Sequence, residues 1–197
     1  MKKFRKITVL FIALVTIAAA VPAFAREGDK QLDLMLDLST SPASGFDTTA
    51  GPIAGLSIGA GYELRDGWQL RGDLAYHYWD RDVWGRSLSY TRIPVSASVR
   101  KYFTLPQPKG LKVFGQAGLE ISYDIVETPY VYPVWIGWTY YGTAEGKKSD
   151  NKLRLGVPLT TGAEYEINSQ YSVGASVTAH VVNDSYLTVG LAGSYHF

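Results

Sequence analysis

Hydrophobic and polar residues alternate along most of this chain, and the alternation recurs in eight segments. In "QLDLMLDL", Leu32, Leu34, Leu36 and Leu38 share one face, with Asp33, Met35 and Asp37 on the other. "IAGLSIGAGYEL" sets Leu56, Ile58, Tyr62 and Leu64 against Ser57, Gly59, Gly61 and Glu63. "WQLRGDLAYHYW" and "RIPVSASVRKYF" repeat the scheme with Arg71, Asp73 and His77, and then Arg92 and Arg100, on the polar side. "KVFGQAGLEISY" and "KLRLGVPLTTGAEYE" add Gln116, Glu120, Arg154, Glu164 and Glu166 to that side. "YSVGASVTAHV" and the closing "LTVGLAGSYHF" complete the set. A period of two is the signature of a pleated strand, and no long stretch carries a helical period.

The connections sort by length. "RDG" and "INSQ" are tight turns, the first because Gly67 can take a positive φ. The segments before and after them are joined by longer links, of which the longest runs from Asp124 to about Asn151. An even number of strands of roughly ten residues, mostly joined long-short-long, predicts a closed up-and-down antiparallel barrel. The long link is expected to be an exposed loop carrying Tyr130, Tyr132, Trp135, Trp138, Tyr140 and Tyr141 as contact candidates. Part of it can instead prolong the two flanking strands as a hairpin bending near Gly137, and a fold-back over the barrel mouth is a further arrangement.

Alternation does not say which face is wet. Three features place the apolar face outward. The polar face carries Asp33, Asp37, Glu63, Arg71, Asp73, His77, Arg92, Arg100, Gln116, Glu120, Arg154, Glu164 and Glu166, with acids and bases in similar number. Its cations are arginines, suited to bidentate pairing in a confined space, rather than the lysines of a soluble surface. The aromatics of the apolar face gather at strand ends: Tyr62, Trp68, Phe103, Tyr165, Tyr171, Tyr195 and Phe197 beside the tight turns and C-terminus, Tyr76, Tyr78 and Tyr123 toward the long links. Two such belts are what a bilayer interface selects. The N-terminus supplies the third feature. Lys2, Lys3, Arg5 and Lys6 precede an apolar run, and Ala23-Phe24-Ala25 offers small residues for cleavage. Residues 1–25 therefore read as a cleaved signal peptide, leaving residues 26–197 as one barrel domain. The fold class expected is all-β, an eight-stranded transmembrane barrel. The polar faces would then form a salt-bridged plug, because eight strands enclose little more than side chains.

The chain resembles the small outer-membrane β-barrel proteins of Gram-negative bacteria, the OmpA/OmpX/opacity-protein-like group. The resemblance rests on the signal segment, the eight alternating segments, the central "RIPVSASVRKYF" and the terminal "SYHF". It implies a bacterial outer-membrane location, with both termini periplasmic and the long loops outside. It also implies outer-membrane lipid and lipopolysaccharide as surroundings, and recognition by the barrel-assembly machinery through the last strand. Leu187, Val189, Leu191, Tyr195 and Phe197 match that assembly signal, and Gly193 departs from it.

Composition narrows the chemistry. Removing the 4 basic residues of the signal from the 19 in the chain leaves 15 against 18 acidic ones, a net charge of −3, unlike a nucleic-acid binder. There is no cysteine, so an exported domain must hold without disulfides. The three histidines, His77, His180 and His196, fall on different strands without ligand spacing, so no metal or other cofactor is expected. The glycines of "GLSIGAGYE" do not form a phosphate loop. Lipid A deacylases of similar size use a His-x-Ser pair, absent here, and the palmitoyltransferase type opens on an amphipathic helix that "REGDKQLDLMLDL" does not offer. No catalytic residue is therefore assigned. The expected role is structural or surface contact through residues 124–151. A narrow porin-like channel is the alternative, and a lipid A-modifying enzyme the third reading.

Overall fold

The structure is a computed structural model, described here for residues 30–40, 53–83, 86–182 and 185–197. Residues 1–29, which include the expected signal peptide, and residues 41–52, 84–85 and 183–184 lie outside these. Eight antiparallel strands form a closed barrel in sequence order. They are β1 (Lys30–Ser39), β2 (Ile53–Arg65), β3 (Trp68–Val83), β4 (Arg86–Thr104), β5 (Leu111–Ile136), β6 (Thr139–Glu166), β7 (Tyr171–Val181) and β8 (Tyr186–His196). β1 closes on β8 from Gln31↔His196 to Ser39↔Thr188. Reciprocal main-chain bonds between Lys30 and Phe197, 3.0 and 2.9 Å, extend that seam by one pair. Closure leaves no open edge in the wall, so its strands pair with one another on both sides rather than with water.

The turns at the end that holds the termini follow the sequence chemistry. Asp66 and Gly67 both have positive φ, 53° and 74°, the conformation a two-residue hairpin needs to match strand twist. Between β6 and β7, Asn168 Oδ1 accepts the amides of Gln170 and Tyr171 at 2.8 and 2.9 Å and shapes the turn.

The facing follows the alternation. Leu34, Leu36, Leu38, Leu119, Leu153, Leu155 and Leu191 all lie exposed on the outer wall. The buried side chains are mainly polar: Asp33, Arg71, His77, Arg92, Arg100, Glu120, Asp124 and Glu164 among them. This is a soluble protein turned inside out, and it is the arrangement a lipid solvent demands. Trp68, Phe103, Tyr165, Tyr171, Tyr195 and Phe197 ring the outer wall near the turn end. Tyr171 and Tyr195 are register partners with ring centroids 5.3 Å apart.

The longest link differs from the loop expected over 124–151. Pairing continues from Glu127↔Ser149 through Tyr130↔Gly146 to Ile136↔Thr139, so the segment is a hairpin that prolongs β5 and β6. Gly137, φ 63°, sits at its tip. Beta-rich composition explains this: Tyr, Val, Trp and Thr alternate through "YVYPVWIGWTYYGT", and the tip needs no more than Gly137-Trp138. The link between the third and fourth segments is likewise mostly strand, since Asp80↔Ser89 and Val83↔Arg86 are paired.

Candidate functional site

Two parts of the molecule carry chemistry: the lumen and the projecting hairpin. The lumen is a stack of polar layers. At the turn end, Gln31, Gln69, Tyr102, Ser172, Glu164 and His196 interlock. Gln69 Nε2 donates to Gln31 Oε1 at 2.8 Å, and the Tyr102 hydroxyl donates to Glu164 Oε2 at 2.8 Å. Ser172 Oγ donates to Glu164 Oε1 at 2.5 Å and lies 2.9 Å from His196 Nε2. Outside this layer a vestibule of about 500 Å³ opens to solvent, with Glu63, Asp66, Lys112 and Glu166 on its walls.

The next layer holds Arg71 between two carboxylates. Its Nη2 is 2.5 Å from Asp33 and 2.8 Å from Asp73. Arg100 lies beside it, donating from Nε to Gln116 at 2.8 Å and from Nη1 to the Tyr102 hydroxyl at 2.8 Å. Its guanidinium carbon sits 3.9 Å from the Phe114 ring centroid. Gln116 closes the layer, with Nε2 2.8 Å from Ser98 Oγ and 3.3 Å from Asp73. Glycine leaves room for this ion pair as it stands: a Cβ on Gly59 would lie 2.4 Å from both Arg71 Nη2 and Asp73 Oδ1, so one of the two would have to shift.

The middle of the lumen pairs carboxylates with histidines. Glu120 Oε2 is 2.6 Å from His180 Nδ1, and His180 Nε2 is 3.1 Å from Thr188 Oγ1. Asp37 faces His77 across 3.7 Å. The His77 ring has room only because residue 55 is glycine, where a Cβ would stand 2.0 Å from its Cδ2. A cavity of about 80 Å³ lies among these groups. The Thr188–His180–Glu120 order is that of a hydroxyl, base and orienting acid. All three are buried, and the adjoining cavity is far smaller than a lipid substrate.

Toward the hairpin end, Asp124 is the hub. It accepts two bonds from Arg92, 3.0 and 3.2 Å, one from the Tyr90 hydroxyl at 2.9 Å, and lies 2.7 Å from Arg154 Nε. The Arg92 guanidinium carbon rests 3.8 Å from the centroid of the Tyr186 ring, whose hydroxyl donates to Glu120 at 3.1 Å. Among the described residues no group of three or more acidic or histidine side chains is placed to hold a metal ion.

The residues expected in the polar network thus divide. Asp33, Arg71, Asp73, Arg100, Gln116 and Glu164 are brought together toward the turn end, while Asp37, His77 and Glu120 meet the middle. Arg92 and Arg154 converge near the hairpin end on Asp124, which is not among the residues expected in the network. Glu63 and Glu166 stand at the vestibule rim, the latter ion-paired with Lys112. Sequence reasoning missed Asp124, which was placed at the start of a loop, and the inward Tyr90, Tyr102, Phe114 and Tyr186. Parity could have found the tyrosines: Tyr90 and Tyr102 share it with Arg92 and Arg100. The interior aromatics serve as flat supports for the guanidinium groups.

The hairpin has a different character. It bears Tyr130 and Tyr132 on β5, with ring centroids 5.7 Å apart, and Trp135 packed 5.3 Å from Tyr140 across the strands. Trp138 at the tip is 100% exposed, and Tyr141 and Ile136 are also exposed. All six contact candidates lie on this one hairpin. Among the described residues, no pairing joins β5 to β4 beyond Glu127, and β6 meets β7 only from Val157 onward. Among those residues the hairpin carries two open edges. Leu187, Val189, Leu191, Tyr195 and Phe197, the residues expected to form an assembly signal, all face outward on β8 and the residue that follows it.

Comparison with known proteins places the architecture. The chain is similar to Ail, the attachment invasion locus protein of Yersinia pestis, at 13% identity and TM-score 0.55, covering 87% of this chain and 99% of that one. It is also similar to the outer membrane protein OprG of Pseudomonas aeruginosa, at 9% identity and TM-score 0.51, covering 88% and 97%. At such identities the likeness is one of fold. No curated protein matches the chain by sequence. The family described as the outer membrane protein beta-barrel domain matches residues 11–197. With the inverted facing and the closed eight-stranded wall, that match makes this chain a member of the outer membrane β-barrel family of bacteria.

Proposed function

We propose that this protein is a non-enzymatic surface-contact barrel whose working part is the β5–β6 hairpin. The observation that carries the reading is the aromatic hairpin standing clear of the barrel. Nine residues of β5 follow its last pairing with β4 at Glu127, which at 3.3–3.4 Å per residue is a projection of about 30 Å. An apolar surface of that size on a solvated arm costs solubility unless it meets something. Trp135, Trp138, Tyr140 and Tyr141 offer flat faces that stack on sugar rings, and the exposed Lys147 and Lys148, 4.0 Å from Glu127 and 3.6 Å from Asp150, can exchange those acids for anionic groups of a partner. The partner that fits is an anionic carbohydrate surface, such as the sugar of lipopolysaccharide. The barrel below is the anchor, exported by the cleaved N-terminal signal and assembled through its last strand. Binding of purified lipopolysaccharide to the chain in nanodiscs tests this. Replacing Trp135, Trp138 and Tyr141 together by alanine is expected to weaken binding about tenfold or more, in line with the loss of several aromatic anchors. Unchanged binding by the folded triple variant would overturn the reading.

A second reading, a narrow gated channel, is favoured by the vestibule of about 500 Å³ that reaches inward to Gln31, Gln69 and Tyr102. Beyond it the layers of paired charge fill the lumen, so conduction requires them to rearrange. Planar-bilayer recording of wild type beside Arg100→Ala separates the two. Discrete openings altered by the substitution support the channel, and their absence from inserted protein removes it.

A further inference from the structure

The bilayer-facing wall is not evenly convex. Near the turn end, β6, β7, β8 and β1 leave a shallow, open apolar groove. Its floor is Ala163, Ala175 and Gly193, and Tyr165, Tyr171 and Tyr195 stand at its lip. These positions adjoin in the sheet: Ala163 pairs with Ala175, Ala175 with Leu191, and Gly193 with both Val173 and Leu34.

Gly193 differs from the glycines that face the lumen. Gly55 and Gly59 are forced by neighbours that a Cβ would strike, whereas a Cβ on Gly193 meets nothing within 4 Å. Its φ is not among the positive ones either. Neither backbone conformation nor packing calls for glycine there, yet it interrupts the outward series Leu187, Val189, Leu191, Tyr195, Phe197. The groove is continuous with the lipid-facing wall, and its lip lies in the aromatic belt where headgroups sit. One outward position beyond Leu32 on β1 stands Lys30, with Nζ 5.9 Å from the centroid of the Phe197 ring. An ammonium at that height complements a phosphate.

We propose that this groove is a specific site for one glycerophospholipid of the periplasmic leaflet. One acyl chain lies over Gly193 and Ala175, and the phosphate sits near Lys30. A second copy of the chain is a poorer occupant. A two-fold axis through the groove would set it against its own copy, and two hollows leave a void where dispersion contacts are lost. The site does not depend on the role given to the hairpin.

The test is native mass spectrometry of the full-length barrel extracted from membranes in mild detergent and titrated with phosphatidylglycerol. One equivalent is expected to be retained by wild type. Gly193→Leu fills the groove and is expected to weaken retention about tenfold, as loss of buried acyl surface would. Ala175→Leu, on a different strand, should do the same, so the result does not hang on one variant folding. Lys30→Gln should weaken retention about fivefold, the effect of one cation near an anionic headgroup. Leu119→Phe, on the wall made by β5, serves as control and should leave retention unchanged. Retention that is indifferent to both groove-filling variants, or equally reduced by the control, would mean annular lipid only and overturn the proposal. So would a dimer that the groove-filling variants abolish.

Discussion

Replacing Asp124 with alanine removes the carboxylate that Arg92, Arg154 and Tyr90 share. Asp124 is 1% exposed, and the Arg92 side chain is equally enclosed. Two guanidinium groups would remain in the lumen with their common counter-charge gone. Breaking a buried pair by deleting one partner costs about 3–5 kcal/mol, because the desolvated charge left behind has no compensation. The pairing here is bidentate from Arg92 and contacted again by Arg154 at 2.7 Å, so the upper part of that range is expected. In lipid vesicles, the urea midpoint followed by tryptophan fluorescence should fall on the order of 2 M, taking a slope near 2 kcal/mol per molar. Asp124→Ala combined with Arg92→Met and Arg154→Met should recover most of the loss, since no orphaned charge then remains. Two results would refute the reasoning: a fall under about 0.5 M for the single variant, or a triple variant less stable than the single one. Either would mean that water enters the layer and solvates the arginines.

Other substitutions probe the wall, the lumen packing and the arm. Leu119→Arg puts a charge on an outward position that is 72% exposed to the bilayer, and it should cost up to about 2–4 kcal/mol in vesicle unfolding. The same substitution at Tyr141, on the projecting hairpin, should leave the unfolding curve unchanged, and equal costs at both would contradict the facing. Gly59→Ala drives a methyl into Arg71 and Asp73, and about 1–3 kcal/mol of destabilisation is expected from this overpacking, read from the same curves. Deleting residues 130–146 and joining the strands with a two-residue Asn-Gly turn should preserve heat-modifiable migration in SDS, because the barrel wall does not use the arm. Loss of folding on that deletion would give the hairpin a structural role instead.

Much of the wall was legible along the chain. Alternation with period two fixes which residues share a face, and a one-residue slip would reverse every one of them. Leu32 to Leu38 outward and Asp33 to Asp37 inward follow directly, as do Arg71 with Asp73 on one side of β3. The Asp66-Gly67 turn was legible because two-residue hairpins need positive φ. The hairpin beyond Glu127 was legible only as one of several arrangements, bending near Gly137, since its residues suit both an aromatic loop and a strand, and only pairing with the opposite strand selects between them. The inward aromatics were obscured by chemistry. Tyrosine at a strand end reads as an interface residue, yet Tyr90 and Tyr186 turn inward because Arg92 needs a flat partner where water is scarce.

By itself, then, the sequence determined a chain of eight alternating strands, apolar outside, closed by a strand ending in aromatics. These are local properties of spacing and composition. Tertiary structure alone decided which charges meet. Asp124 joins Arg92 from β4 and Arg154 from β6, and Glu120 joins His180 and Tyr186 from β7 and β8. Such partners lie up to 66 residues apart in the chain, and barrel closure and strand register, not spacing, bring them to one height. The groove at Gly193 is of the same kind: an unremarkable glycine in the sequence becomes a hollow only when four strands curve around it.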